Sequence, residues 1–242
     1  MAISIRLRDV LPLLAALVLV VLCFALPPIY ADAAEPATAE AETTRVLIID
    51  AGHGGEDGGA TTAEGVPESG INLAIAQKLE ALAGLCGVES VMTRESQDIN
   101  YPESASTTAQ RKQADQKARI ELINAQSDAV LISIHQNFFP TAQPSGCQVL
   151  YGKPEGSREL GELTHRNLTE ALCPTSRRVA APISEDIYLM RSAKCTSILV
   201  ECGFLSNPSE AALLQTEDYQ LKISALLLAS YLQYEAGSGG MV

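Results

Sequence analysis

The chain has 242 residues, of which 47% are hydrophobic and 19% are charged. This length and composition suit one folded domain with a substantial core, and they exclude disorder as the default state. The 17 basic and 29 acidic residues give a net charge of −12, which argues against nucleic acid or anionic lipid as the main partner.

The first 33 residues have the pattern of an export signal. Arg6 and Arg8 precede an apolar run over residues 10–26, and Ala31-Asp32-Ala33 offers a signal-peptidase site. An uncleaved membrane anchor is the alternative, because a run of this length is at the lower limit for a membrane-spanning helix. We therefore predict an exported protein, with cleavage favoured over anchoring.

Composition divides the rest of the chain into three parts. Residues 34–44 consist of Ala, Glu and Thr with one Pro, which predicts a linker. A single catalytic domain is predicted over residues 45–236. The glycine-rich end, residues 237–242, is predicted to be a flexible tail.

Short β-branched runs and longer stretches with apolar residues at helical spacing alternate along this domain. Such alternation predicts an α/β fold, with a twisted, mostly parallel sheet covered by helices on both faces. In chain order we predict a strand at 46–50, a helix at 71–85, a strand at 88–93, a helix at 111–125, strands at 129–134 and 147–151, a helix at 155–172, a short edge strand at 187–190, a strand at 197–200 and a helix at 219–234.

Polar motifs follow three of these strands. His53 lies in a glycine-rich segment after the first strand, His135 follows the third, and Glu201 follows the last. Glu68 lies just before the first helix, where a loop could bring it to the same edge. Because ligands bind beyond the carboxyl ends of the strands in such sheets, these side chains are candidates for one site.

Two histidines and one carboxylate are a common catalytic zinc set that leaves a position for water. We assign this role to His53, Glu68 and His135, and the role of general base to the unligated Glu201. Structural roles are the alternatives: hydrogen-bonded histidines, Glu68 as a first-turn acid of its helix, and Glu201 as a capping partner for the turn at 206–208.

The remaining reactive side chains receive structural assignments. His165 lies in a helical stretch without nearby ligand residues, so we expect it to be a solvated surface residue. No H-E-x-x-H or G-x-S-x-G motif occurs, which excludes thermolysin-type peptidases and serine hydrolases with a nucleophile elbow. Five cysteines would remain after export, and we expect most of them to be buried, unpaired thiols: Cys86, Cys147, Cys173, Cys195 and Cys202.

Several motifs together resemble the zinc-dependent N-acetylmuramoyl-L-alanine amidases of the bacterial wall. The resemblance covers residues 45–236. Its carriers are VLIIDAGHGGEDGGA (46–60), ESGINLAIAQKL (68–79), VMTRE (91–95), ISIHQN (132–137) and LVECGFLSNPSEAALL (199–214).

This resemblance implies an α/β fold, a peptidoglycan substrate and a bound Zn²⁺. It places His53, Glu68 and His135 at the family's zinc ligands and Glu201 at its catalytic glutamate. Further segments resemble the germination-specific branch that acts on spore cortex: RKQADQKARIELIN (111–124), SGCQVLY (145–151) and ISEDIYLM (183–190). Ser69, where the family often has Lys, and Phe138-Phe139, where a small residue is common, depart from the pattern and leave the substrate contacts open.

Three functions remain to be compared. The leading one is an amidase, the second is a metallopeptidase that acts on the peptide stem, and the third is an inactive wall-binding module. All four catalytic positions are filled, which disfavours the third. The need for an activating partner protein stays open, and any contact with a membrane is expected only through an N-terminal anchor.

Overall fold

The computed structural model describes residues 45–238. The predicted signal or anchor at 1–33 and the linker at 34–44 lie outside the described residues, as do residues 239–242 of the predicted tail. Residues 237 and 238, which were predicted to begin the tail, belong to the last helix. Within the described range, no helix has the length and apolar character needed to cross a membrane.

Six strands form one sheet, in the order β2-β1-β3-β6-β4-β5. All neighbouring pairs are parallel except β4 and β6, which are antiparallel. The expected mostly parallel sheet is thus confirmed. The strands are β1 (Val46–Ala51), β2 (Ser90–Met92), β3 (Ala129–Asn137), β4 (Gln148–Tyr151), β5 (Ala181–Pro182) and β6 (Thr196–Phe204).

Helices cover both faces of the sheet, as predicted. They are α1 (Glu68–Leu85), α2 (Thr108–Ala125), α3 (Ser157–Leu172), α4 (Tyr188–Ser192), α5 (Pro208–Leu214) and α6 (Glu217–Ser238). Capping defines two of their starts: Thr107 and Gln110 form a reciprocal capping box at α2, and the Asn207 side chain accepts two backbone N–H bonds at α5.

Alternation along the strands separates two apolar layers. Ile48, Leu131 and Leu199 pack with Ile123 of α2 and Met190 of α4. Their neighbours in β1, β3 and β6 point the other way, into a larger core with α1, α3 and α6. Side chains of a strand alternate between its two faces, so residues two or four positions after Ile48, Leu131 or Leu199 also face α2 and α4.

The predicted edge strand at 187–190 is wrong. Those residues enter helix α4, where the consecutive residues Leu189 and Met190 are both buried. A strand would have pointed these two side chains to opposite faces, whereas one helical turn places both against the sheet. The edge strand is β5, only two residues long and paired with β4. Helix α5 had not been predicted either.

His165 is not the solvated residue that we expected. It is only 4% exposed, because its neighbours Gly161, Thr164 and Leu168 form the buried stripe of α3 and residue 165 falls on the same side. Its Nδ1 lies 2.7 Å from Oγ1 of Thr169.

The cysteines agree only in part with expectation. None of the five described cysteines forms a disulfide. However, only Cys147 and Cys202 are buried; Cys173 and Cys195 are partly exposed and Cys86 is exposed. Fewer of the cysteines are buried than we expected. The main reason is that residues 86 and 173 lie at helix ends, where the chain leaves the core.

A buried ion pair joins β1 to α2 below the carboxyl edge of the sheet. Asp50 and Arg119 are 1% and 4% exposed, and Oδ1 lies 2.8 Å from Nη1. Hydroxyls of Thr93 and Ser133 donate to the carboxylate at 2.7 and 2.5 Å. Burial raises the pKa of Asp50, but the Arg119 charge and the hydroxyl bonds outweigh it and hold the pKa at about 2.

The same network fixes the backbone that leaves β1. Arg119 also donates to the carbonyl oxygens of Ala51 and His53, at 2.7 and 2.6 Å. Arg94, which is 8% exposed, donates to the carbonyls of Ala51 and Gly52 at 2.8 and 3.1 Å. Two buried guanidinium groups thus satisfy three consecutive carbonyls at the point where the chain turns away from the sheet.

We expect Asp50→Asn to lower the free energy of unfolding by about 3 kcal/mol, because it removes the fully buried partner of Arg119 and leaves only Asp115, at 3.0 Å, to pair with that charge. Urea denaturation of the full chain measures this change. Glu162→Gln is the control, since it removes an exposed ion pair with Arg158 and should cost at most about 0.5 kcal/mol. Equally small losses in both variants would contradict the structural importance of Asp50.

The stability due to Asp50 should depend on pH. Lowering its pKa from 3.8 to about 2 corresponds to about 2 kcal/mol of stability. This contribution is fully present above about pH 4 and is lost as pH falls through 2, because the folded state binds the proton less readily than the unfolded chain. The difference in unfolding free energy between wild type and Asp50→Asn should therefore shrink from pH 6 to pH 2; a constant difference would refute the assignment.

Candidate metal centre

His53 lies in the turn directly after β1. It has φ of 60°, a left-handed conformation that is unusual for a residue with a side chain. Its carbonyl is held by Arg119, and its Nδ1 lies 3.0 Å from Oδ2 of Asp57. Asp57 is itself fixed in the turn by backbone hydrogen bonds to Gly54. The contact with Asp57 leaves Nε2 of His53 as the nitrogen that points toward Glu68, at 3.5 Å from its Oε2.

Glu68 is the first residue of α1 rather than part of a preceding loop, because the helix begins three residues earlier than the predicted start at residue 71. Its side chain is buried, and Oε1 accepts hydrogen bonds from Asn72 Nδ2 at 3.2 Å and from the backbone N–H of Gln136 at 3.0 Å. Oε2 accepts from the backbone N–H of Ala60 at 2.9 Å. Helix α1 thus presents a carboxylate that is held from both sides.

His135 completes the group from β3. Its Nδ1 lies 3.0 Å from Oε1 of Glu68, and its ring stands edge-on to that of His53, with centroids 4.9 Å apart. Burial raises the pKa of Glu68, but the contact with His135 outweighs it, so the pKa falls to about 2 and the carboxylate is ionised. One donor atom from each of His53, Glu68 and His135 lies within 4.8 Å of the others.

The space around these donors fits a metal ion. A Cβ on Gly52 would lie 2.3 Å from Nε2 of His135, and one on Gly59 would lie 2.5 Å from Oε2 of Glu68. Both positions therefore require glycine for the three side chains to converge. Two imidazoles and a carboxylate are a ligand set typical of a divalent metal with an open position. The three residues form a possible metal site.

Glu201 stands beside this group. It is the register partner of His135 in the parallel pair β3–β6, so the two side chains leave the sheet on the same face. Its Oε2 is shielded from solvent and has no hydrogen-bond partner among the described residues. Burial raises the pKa of Glu201 to about 6. The alternative of a capping role is excluded, because Glu201 lies inside β6 and Asn207 caps α5.

A cavity of about 440 Å³ opens over the four side chains. Its far wall comes from α2 and from the segment that leads into α4. Lys112 and Gln116 contribute from α2, and Asp186, Ile187 and Tyr188 from the segment that enters α4. The cavity therefore has room for an extended polar substrate that reaches past the metal-binding side chains.

The structure brings together all four residues predicted from the sequence and adds residues that the sequence analysis missed. Asp57 contacts His53, Asn72 contacts Glu68, and Arg119 holds the turn that carries His53. Asn72 follows Glu68 by one helical turn, a spacing that could have revealed the pair had α1 been predicted to begin at Glu68. Arg119 had no such signal, because it is distant from β1 in the sequence.

Comparison with known proteins identifies the family. A family model for N-acetylmuramoyl-L-alanine amidases (Amidase_3) matches residues 47–230. The germination-specific N-acetylmuramoyl-L-alanine amidase of Bacillus subtilis (strain 168) is 34% identical over 196 residues, which is 81% of each chain.

Solved structures agree with this result. The CwlD amidase from Clostridioides difficile, solved in complex with the GerS lipoprotein, is 36% identical with a TM-score of 0.76, and the match covers 79% of this chain and 98% of that one. An N-acetylmuramoyl-L-alanine amidase from Clostridium difficile 630 is 26% identical with a TM-score of 0.68, over 79% and 97% of the two chains. The chain belongs to the N-acetylmuramoyl-L-alanine amidase family, as its motifs predicted.

Proposed function

We propose that the protein is a zinc-dependent hydrolase that cleaves the amide between N-acetylmuramic acid and L-alanine of peptidoglycan. The observation that carries the proposal is the convergence of His53, Glu68 and His135 at the carboxyl edge of the sheet, with Glu201 next to them. Imidazole and carboxylate donors suit Zn²⁺, and family membership selects the bond.

The three ligand residues are held ready for the ion. A carboxylate oxygen of Asp57 lies 3.0 Å from Nδ1 of His53, and a carboxylate at the second ring nitrogen orients histidine ligands in zinc sites. Glu68 is kept ionised by its contacts with His135 and the backbone. Bound zinc supplies a Lewis acid that polarises the amide carbonyl and makes water a stronger nucleophile.

Glu201 moves the proton. It takes a proton from the attacking water and later gives it to the nitrogen of L-alanine as the C–N bond breaks. Its shielded oxygen without a hydrogen-bond partner is available for this transfer, whereas both oxygens of Glu68 are already engaged. The two carboxylates thus have separate roles.

We propose that the protein acts outside the cytoplasm and takes part in maturation of the spore cortex. The Bacillus subtilis relative is named as germination-specific. Removal of the peptide leaves a muramic acid from which the δ-lactam of the cortex can form. Residues 1–33 would act as signal or anchor and residues 34–44 as linker to the catalytic domain at 45–236.

We further propose an activating partner protein. The Clostridioides difficile amidase was solved with a lipoprotein bound, and a partner of that kind would meet an exported enzyme at the membrane surface. The net charge of −12 argues against nucleic acid as an alternative partner.

The His135→Ala variant should lose zinc, because two remaining protein ligands hold the ion poorly. Metal analysis of the purified full chain and a competition titration with a chelator measure content and affinity. His165→Ala is the matched control, since it removes the one histidine of the described range that lies outside the site and should leave zinc content unchanged. Unchanged zinc affinity in His135→Ala would remove this residue from the site.

The Glu201→Gln variant should retain zinc but lose turnover by about 10² or more, since an amide cannot accept the water's proton. Defined muropeptides with and without zinc, analysed by mass spectrometry, measure the reaction. Glu162→Gln, an exposed acid on α3, should turn over normally. Wild-type products should be free stem peptide and peptide-free muramic acid; shortened stems on intact sugar–peptide links would favour the metallopeptidase instead.

A further inference from the structure

Two cysteine sulfurs lie against each other on the face of the sheet opposite to the side chain of Glu201. Sγ of Cys147 is 3.2 Å from Sγ of Cys173, although the residues are 26 positions apart in the chain. Cys147 comes directly before β4, and Cys173 is the residue that ends α3. A disulfide has an S–S bond of about 2.05 Å, so the sulfurs need to approach by only about 1 Å.

We propose that Cys147 and Cys173 form an intramolecular disulfide when the protein meets a disulfide oxidant, such as a disulfide-bonded oxidoreductase or oxidised glutathione. One sulfur attacks the oxidant and releases one of its thiols; the other sulfur then attacks the mixed disulfide and releases the second. The pair loses two protons and two electrons, and the oxidant's disulfide is reduced to two thiols.

Accessibility and acidity set the order of attack. Cys173 is partly exposed, whereas Cys147 is 2% exposed, so an oxidant reaches Cys173 first. The hydrogen bond from Cys147 lowers the pKa of Cys173 to about 6, and the same contact raises that of Cys147. Cys173 is therefore the more readily ionised and the more accessible of the two thiols, and Cys147 closes the bond from within.

The cross-link would fasten a corner that supports β6. Cys147 precedes Gln148, whose register partner across the antiparallel pair is Glu201. The neighbouring N–H of Gly146 donates to Glu210 of α5 at 2.6 Å, and the same carboxylate accepts from Phe204 at the end of β6. Joining α3 to this corner restricts the unfolded chain and stabilises the strand beside Glu201.

The other cysteines serve as internal references. Cys86 is exposed, Cys195 is partly buried and Cys202 is buried. Within residues 45–238, the hydrogen bond between Cys147 and Cys173 is the only one that joins two cysteine sulfurs. They should stay reduced under conditions that oxidise the proposed pair, and this contrast does not depend on amidase activity or on the proposed setting.

The test equilibrates the full chain in glutathione buffers from fully reduced to fully oxidised, then alkylates, digests and maps it by mass spectrometry. We expect peptides with Cys147 and Cys173 to be joined in oxidising buffers, while Cys86, Cys195 and Cys202 become alkylated after unfolding. Oxidation should also raise the Tm of the wild type by about 5–10 °C. Cys173→Ala should abolish this rise, and Cys195→Ala should keep it.

Two results would overturn the proposal. In one, both thiols remain alkylatable in oxidised glutathione to the same extent as Cys195. In the other, Cys173 carries glutathione while Cys147 stays free, which would mean that the second attack does not occur. Because the readout is the thiol itself, loss of zinc or of amidase activity could not produce either result.

Discussion

The ion pair between Asp50 and Arg119 is the constraint on which the metal centre depends. A parallel strand that ends at a site must turn sharply, and the turn exposes carbonyls with no partner in the sheet. Arg119 and Arg94 satisfy these carbonyls from below, and Asp50 keeps the charge of Arg119 neutralised in the interior. Without that pair, the left-handed conformation of His53 would lose the hydrogen bond from Arg119 to its carbonyl.

The register of the strands places the other side chains of the site next to this turn. The residues of β1, β3 and β6 that face α2 and α4 are apolar in the middle of the sheet and polar at its carboxyl edge. In β3, the hydroxyl of Ser133 donates a hydrogen bond to Asp50. His135 lies two residues further along the strand, so its side chain is on the same face and closer to the carboxyl edge. Because His135 and Glu201 are register partners, a slip of one residue in β6 would turn Glu201 into the opposite core.

The sequence was sufficient for what depends on local pattern. Alternating runs predicted a mostly parallel α/β sheet. Three residues after strand ends and one acid before the first helix predicted the four side chains that converge; their roles as ligands and base stay predictions. Four apolar residues at 187–190 could not distinguish a strand from one turn of helix, and the burial of His165 depends on how α3 is rotated against the sheet. Contacts between distant segments, such as Arg119 with Asp50, leave no mark in local periodicity.

What the sequence least reveals is how Glu68 and Glu201 differ, since both are acids near apolar residues. The structure separates them by their hydrogen bonds. Glu68 accepts from two backbone N–H groups and Asn72 and contacts His135, so its pKa falls to about 2 although it is buried. Glu201 has a shielded oxygen without a partner, and burial raises its pKa to about 6. Two carboxylates whose environments push their pKa values apart are suited to different tasks: one to stay charged, and the other to exchange a proton near neutral pH.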